Sequence, residues 1–415
     1  MSEATVSPEA TAAAQTPADP TTRFARRAAS FRPSLWGEVG DYIDRHPDPI
    51  FFGNGAPAAE LMPTERLQAM ARRVWDEAPG RLGYAEAAGY APLRALIAER
   101  MAARAMPVGS DEVLITNGSQ QGIDLVGRLV LDPGDGVVVE GPTYLGAVQA
   151  FDGYEAVYHV VPMDGEGMDP DVLEATLAGA IRPPKLLYTI PTFQNPTGKT
   201  QGLGRRRRIL DISRRHGLLV VEDDPYGELR LDGDDVPTMR SLDPEVVHLG
   251  TFSKTVAPGL RIGWVAARPE IIEPLVAARE AADVHGERTA SRIVELTART
   301  FLDDHLAGAR AGYRRRRDTM VAALERSMPP GVRWAVPEGG FFLWLELPDP
   351  LDAEDLLPRA AARGATYMPG GWFFPDRRPC HALRLSFSSL PEERLAPGIA
   401  RLGEAIREEI AARRT

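Results

Sequence analysis

Val246-Val247-His248-Leu249-Gly250-Thr251-Phe252-Ser253-Lys254-Thr255-Val256-Ala257-Pro258-Gly259-Leu260-Arg261-Ile262-Gly263-Trp264-Val265-Ala266 places two short apolar runs on either side of a polar turn. The runs at 246–250 and 262–266 have the length of strands. Hydroxyls, a lysine and an arginine crowd the turn between them. The pattern recurs upstream. Apolar runs at 113–116, 137–140, 186–190 and 218–222 also end in polar, Gly- or Pro-rich loops, with helical stretches such as 121–130 and 206–216 between them. Continuous apolar strands alternating with helices predict an α/β domain around a mostly parallel sheet buried on both faces. Polar groups bunch just after the carboxyl ends of these runs, where ligands sit in open α/β sheets.

Working outward, 34–45, 63–77 and 92–104 read as helices. A strand-like run at 50–52, a Gly53-Asn54-Gly55 turn and a Gly-rich segment at 80–89 lie among them. On the other side, 288–328 reads as one long helical stretch. Strand-like runs at 332–336, 341–347 and 383–387 then mix with helices at 353–363 and 391–412, an α+β pattern that predicts a smaller domain. The expected division is a disordered tail over 1–22, a segment over 23–64 that joins the small domain, a large domain over 65–287, and an interdomain helix with the small domain over 288–415.

A chain of 415 residues with a formal charge of −10 has room for two domains and lacks the basic balance of a nucleic-acid binder. No apolar run is long enough to span a bilayer. The first 22 residues lack the basic start and apolar stretch of a signal peptide, and the one cysteine, Cys380, excludes an internal disulfide framework. These features lead us to expect a cytoplasmic protein. The histidines form no metal-ligand pair at helical spacing, so no metal is expected.

Lys185, Lys199 and Lys254 are the only lysines; every other basic residue is an arginine. A surface cation can be arginine, but a Schiff base needs a primary amine that can lose its proton. Lys254 sits in the crowded turn. An amine in a partly desolvated site beside a cation has a lowered pKa and gains nucleophilicity. Thr251 and Ser253 can donate hydrogen bonds to a phosphate, and Arg261 can grip one as a fork. Asn117-Gly118-Ser119-Gln120-Gln121 follows a strand and opens a helix, so its backbone N–H groups can also bind a phosphate; an ordinary N-cap turn reads the same way. Val221-Glu222-Asp223-Asp224-Pro225-Tyr226 ends a buried strand with carboxylates able to pair with a buried cation.

Ser253-Lys254 followed by Pro258-Gly259-Leu260-Arg261-Ile262-Gly263 resembles the cofactor-lysine signature of fold type I aminotransferases of class I/II, enzymes of pyridoxal 5′-phosphate (PLP). Gly141-Pro142-Thr143-Tyr144, Pro191-Thr192-Phe193-Gln194-Asn195-Pro196-Thr197-Gly198 and Leu383-Arg384-Leu385-Ser386-Phe387 agree in order and separation. The resemblance runs from about Ser30 to Arg407. Around Phe51–Pro63 it is strongest to the branch of 2-aminoadipate, kynurenine and branched-chain aminotransferases. It implies that Lys254 carries PLP, that Gly118, Ser119 and Gln120 cradle its phosphate with Thr251, Ser253 and Arg261, and that Tyr144 stacks on its ring. It further implies Asp223 at the ring nitrogen, Asn195 and Tyr226 at the phenolic oxygen, Arg384 with Asn195 at the substrate carboxylate, and Gly55 beside the substrate. Tyr84 would reach the phosphate of a neighbouring subunit, which makes a homodimer with shared active sites the expected assembly. The implied reaction moves an amino group from an L-amino acid to a 2-oxo acid.

One segment departs from that branch. Ala282-Asp283-Val284-His285 resembles it, but Gly286-Glu287-Arg288 stands where small hydroxyl residues are usual. Glu287 or Arg288 could read a charged distal group on the substrate, or could simply begin a surface helix. Two other functions use the same residues. One is a different PLP reaction, such as an amino-acid oxidase or hydroxylase, a lyase, or a cyclase of specialised metabolism. The other is a PLP-sensing transcription regulator, which would need a DNA-binding domain ahead of Gly55, where only a tail and short helices are expected.

Overall fold

The computed structural model describes residues 19–31, 35–44, 46–77 and 83–413. Residues 1–18 of the expected tail, both ends of the helix expected at 34–45 and the start of the Gly-rich segment at 80–89 lie outside them. Within the tail range, Pro20–Arg23 forms a 3₁₀ turn whose first residue follows the Asp19 cap.

The large sheet has eight strands: β1 (Val113–Thr116), β2 (Gly136–Gly141), β3 (Val157–Asp164), β4 (Gly167–Met168), β5 (Leu186–Thr189), β6 (Leu219–Asp223), β7 (Val247–Thr251) and β8 (Gly263–Ala266). Their order is β1-β8-β7-β6-β5-β2-β3-β4. The contiguous set β7, β6, β5, β2 and β3 is parallel, whereas β8 runs antiparallel to both its neighbours and β4 folds back on β3. The sheet is therefore mostly parallel, as expected. Strand residues alternate between two apolar layers. Val137, Val139, Leu186, Tyr188 and Val221 pack into one cluster, and Val138, Leu187 and Val220 into the other. Helices cover both faces, which explains why these strands read as unbroken apolar runs.

Besides the two-residue strands at Gly167–Met168, Ala365–Thr366 and Met368–Pro369, two longer elements differ from the sequence expectation. Strand β3 is absent from it because this strand is mostly half-exposed and carries His159 and Pro162, so it shows no clean apolar run. The stretch at 288–328 is two helices, Arg288–Thr300 and Leu302–Ser327, parted at Phe301, whose φ of −153° leaves the helical region. Phe301 is buried with the Arg66 guanidinium over its ring. A tertiary contact of this kind leaves no glycine or proline in the sequence to announce the break.

The smaller sheet has the order β9 (Arg333–Trp334), β10 (Phe342–Glu346), β12 (Ala382–Ser386), β11 (Met368–Pro369). Ile50–Phe51 pairs with Ala365–Thr366, which ties the N-terminal segment to this C-terminal region. Among the described residues no helix is long and apolar enough to cross a membrane.

Candidate active site

Strands β1, β2, β5, β6 and β7 all point their carboxyl ends to one side, and β8 begins there. Residues that end or follow these strands surround a cavity of about 270 Å³. Lys254, Asp223, Tyr226, Asn195, Tyr144, Ser119, Gln120, Thr251, Ser253, Arg261, Gly55 and Arg384 all line it. Two predicted residues do not. Gly118 stands one residue behind Ser119, and Tyr84 lies elsewhere.

One end of the cavity is built for an anion. The helix Ser119–Val130 begins here, and its first N–H groups lack intrahelical partners. Gly118 has a φ of 72°, where a side chain is strained. Its added Cβ would lie 2.5 Å from Arg261 Nη2, and a Cβ on Gly263 would lie 2.7 Å from the Ser119 nitrogen. Glycine at both positions thus lets the turn, the helix start and Arg261 come together. Arg261 itself has a left-handed φ of 54° and donates to the Asn117 carbonyl at 2.9 Å. The Thr251 and Ser253 hydroxyls lie 2.9 Å apart on the same side.

At the middle stands Lys254. Its Nζ donates to the Gly55 carbonyl at 2.9 Å. Burial, with Arg384 and Arg261 nearby, pulls its pKa down to about 8, against a smaller opposing pull from Asp223. Asp223, the last residue of β6, is buried; burial pushes its carboxyl up to about 7. One of its oxygens accepts from Tyr188, while Oδ1 has no protein partner. Asp224 does not line this cavity. It follows the strand and is buried in an ion pair with Arg104 at 2.9 Å. Tyr226 is buried edge-on to Phe341 and Phe342, and burial raises its hydroxyl pKa. The Tyr144 hydroxyl donates to Gln120 Oε1 at 3.2 Å, and burial pushes it up to about 12.

The other end presents Arg384 from the centre of β12. Its Nη1 donates to Asn195 Oδ1 at 2.8 Å and its Nη2 to the Gly53 carbonyl at 2.5 Å. The guanidinium carbon lies 4.2 Å from the Phe342 ring centre and 4.9 Å from that of Phe373. This aromatic clamp holds the fork in a buried position and compensates part of its desolvation. Burial lowers its pKa to about 10, still well above neutrality.

Sequence reasoning did not find Phe342, Phe373, Tyr188 or Glu140. Glu140, buried at the end of β2, accepts hydrogen bonds from Thr189 Oγ1 (2.6 Å), Gln194 Nε2 (3.0 Å), Gln201 Nε2 (2.9 Å) and the Ile190 nitrogen (3.3 Å). Gln194 in turn accepts from the Thr197 nitrogen and hydroxyl. The loop that presents Asn195 is thereby clamped to the strand that leads to Tyr144. The signal available was a carboxylate ending a run of valines, since a buried charge requires donors.

Tyr84 is 87 % exposed and stands edge-on to His285 at 5.8 Å, in a separate cleft with Arg288. Arg288 donates to the Gly83 carbonyl at 3.3 Å. Glu287 caps the helix Arg288–Thr300, accepting from the Thr289 and Ala290 nitrogens. Within one protomer neither Glu287 nor Arg288 lines the cavity.

This donor set fits PLP. It offers an anion cradle, an amine of lowered pKa, an unpartnered buried carboxylate oxygen and a second fork for a carboxylate. When compared with known proteins, residues 48–402 match the family model "Aminotransferase class I and II". The chain is 42% identical over 396 residues to aromatic-amino-acid aminotransferase 1 of Thermococcus litoralis, covering 93% of this chain and 94% of the relative. It is 40% identical to 2-aminoadipate transaminase of Thermus thermophilus, covering 89% and 93%. The crystal structure of Pyrococcus horikoshii kynurenine aminotransferase in complex with PMP superposes with a TM-score of 0.90 at 38% identity, over 94% of this chain and 98% of that one. The chain belongs to the class I and II aminotransferases, PLP-dependent enzymes of amino-group transfer between amino acids and 2-oxo acids.

Proposed function

We propose that the cavity around Lys254 is the site of this transfer and that the residues lining it take the following roles. The helix start at Ser119 and Gln120, with Gly118 behind it, binds the cofactor phosphate together with Thr251, Ser253 and Arg261. Tyr144 covers the ring, Asp223 holds a proton on the ring nitrogen, and Tyr226 and Asn195 hold the phenolic oxygen. Arg384 grips the substrate α-carboxylate, with Asn195 and Gly55 beside it. When bound, PLP supplies an electron sink for the pair left at the substrate Cα on proton loss. Lys254 Nζ takes that proton and returns it to the cofactor's C4′, acting as base and then as acid. The Asp223 carboxylate, facing a cation on the ring, falls below its cofactor-free pKa and stays ionised. The amino acid leaves as a 2-oxo acid before a second 2-oxo acid enters, so kinetics are ping-pong.

The observation that carries this reading is the convergence of the Lys254 amine, the unpartnered Asp223 Oδ1 and the Arg384 fork on one cavity. The test is a half-reaction. Purified holoenzyme given single amino acids without an acceptor is expected to yield one equivalent of 2-oxo acid and one of pyridoxamine phosphate per site. Oxygen consumption, or product without pyridoxamine phosphate, would instead favour another PLP reaction.

Two further outcomes follow from the geometry. Only the neutral Lys254 amine can attack the cofactor aldehyde, and its pKa lies at about 8. PLP uptake by the apoprotein, followed by stopped-flow absorbance, is expected to quicken about tenfold per pH unit below this value and to level off above it. A rise that continued to about pH 10, as for an ordinary lysine, would contradict the lowered pKa. For Arg384→Lys, the fork and its aromatic stacking are lost while the charge remains. The KM for amino acids should rise about 10–100-fold, the equivalent of one charged hydrogen bond, with a smaller change in kcat. Steady-state kinetics with a saturating acceptor measure both.

Tyr84 is a large aromatic left exposed beside Arg288, away from its own cavity. We read this surface as the part of a homodimer interface that delivers Tyr84 to the phosphate of the partner's site. The proposed division is a tail (1–22), an N-terminal segment of the small domain (23–64), a large domain (65–287) and an interdomain helix with the small domain (288–415); the pairing of Ile50–Phe51 with Ala365–Thr366 supports only the assignment of the N-terminal segment to the small domain. A cytoplasmic location remains part of the same proposal.

A further inference from the structure

The carboxylate that faces the cavity is held from behind. Tyr188 on β5 stands in register with Val221 on β6. Asp223, two residues beyond Val221, therefore presents its side chain to the same face of the sheet. The Tyr188 hydroxyl donates to Asp223 Oδ2 at 2.7 Å, and both residues are buried. The Tyr188 ring is fixed in turn, edge-on to Phe151 at 5.9 Å within the apolar layer on that face. A phenol has one proton to give. With that proton committed to Oδ2, Oδ1 is the oxygen left for the cavity, and it has no protein partner.

We propose that Tyr188 is a positioning residue for amino-group transfer: its hydroxyl locks the Asp223 carboxylate so that Oδ1 faces the ring nitrogen of PLP and remains ionised there. This rests on the role given to Asp223 above. Burial alone drives a carboxyl toward its neutral form, in which it could take the ring proton rather than hold it in place. A hydrogen bond donated to the ionised form opposes that drive. The other groups facing Asp223 are Asp224, which raises its pKa, and His248 and Lys254, which lower it. Tyr144 also stands close to both Asp223 and Tyr188. None of these donates a hydrogen bond to Asp223. Asp224 is paired with Arg104, His248 with Glu222 and Lys254 with Gly55. Among the described residues Tyr188 is the one donor to this carboxylate.

The test uses holoenzyme reconstituted with PLP labelled with ¹⁵N at the ring nitrogen, observed by NMR across pH. In the unaltered enzyme the nitrogen is expected to be protonated. In Tyr188→Phe, which keeps the ring and its packing, the signal should move toward that of unprotonated pyridine and PLP should bind roughly tenfold more weakly, the equivalent of one pKa unit. That loss of affinity should vanish in an Asp223→Asn background, because the hydroxyl acts only through the carboxylate. If Asp223→Asn moves the nitrogen signal and Tyr188→Phe does not, Tyr188 is only a packing residue and the proposal falls. If Asp223→Asn leaves the signal unmoved, the role of Asp223 itself fails. Should Tyr188→Phe not fold, 3-fluorotyrosine at this position gives a stronger donor of nearly the same size. At a fixed pH the nitrogen signal should then move further toward that of protonated pyridine, and an unchanged signal would overturn the proposal.

Discussion

Lys254→Arg is expected to lower turnover by about 10⁴-fold or more, the upper range for a residue acting as both base and acid. The substitution keeps the positive charge beside Arg261 and Arg384, so the electrostatics of the cavity change little. What disappears is an amine that can lose its proton at neutral pH, because a guanidinium stays charged. The amine of Lys254 is the one lysine nitrogen in the cavity. Lys185 is ion-paired with Asp135, and Lys199 donates to the Asp164 carbonyl at 2.7 Å. Neither can substitute. The phosphate cradle does not depend on the lysine, so the variant should still take up PLP, but reversibly and without a covalent link. Steady-state assays and dialysis of the loaded variant measure the two effects. Retention of a tenth of the activity would remove Lys254 from its role.

Asp223→Asn is expected to lower kcat by about 10²–10⁴-fold, corresponding to the 3–5 kcal/mol typical of breaking a buried ion pair. The amide keeps the shape of the carboxylate and can still accept the Tyr188 hydrogen bond. It cannot neutralise a protonated ring, so the electron sink weakens in the step where charge leaves Cα. The KM for the amino acid should change little, because Asp223 does not contact the substrate carboxylate in this arrangement. A variant in which KM rose while kcat held would place Asp223 in substrate binding instead. Single-turnover rates with one amino acid separate these outcomes cleanly.

The parts of the fold that could be read from sequence share a physical origin. Strands β1, β2, β5, β6, β7 and β8 are buried on both faces, so each is an unbroken apolar run that ends at a polar loop. Most of the site could be read for the same reason. Lys254, Asp223, Asn195 and Tyr144 sit at or just after strand ends, in local motifs that survive without knowledge of the fold. What escaped is non-local. Tyr188 lies inside one of the apolar runs, and its meaning depends on the register of β5 against β6. Phe373 reaches Arg384 across the small sheet, and Glu140 finds its donors more than forty residues away. The break at Phe301 is set by burial of its ring, and β3 was hidden by its partial exposure. Glu287 is open to two readings in the sequence, a contact to the substrate or the start of a surface helix, and within the protomer its carboxylate caps the helix Arg288–Thr300.

Only three lysines exist in the chain, which makes the attachment point directly measurable. Reduction of the holoenzyme with borohydride, followed by peptide mass spectrometry, locates the fixed cofactor. A phosphopyridoxyl group on Lys254 is the expected result. A label on Lys185 or Lys199, or none on any lysine of a PLP-loaded and active enzyme, would contradict the assignment of this cavity as the active site.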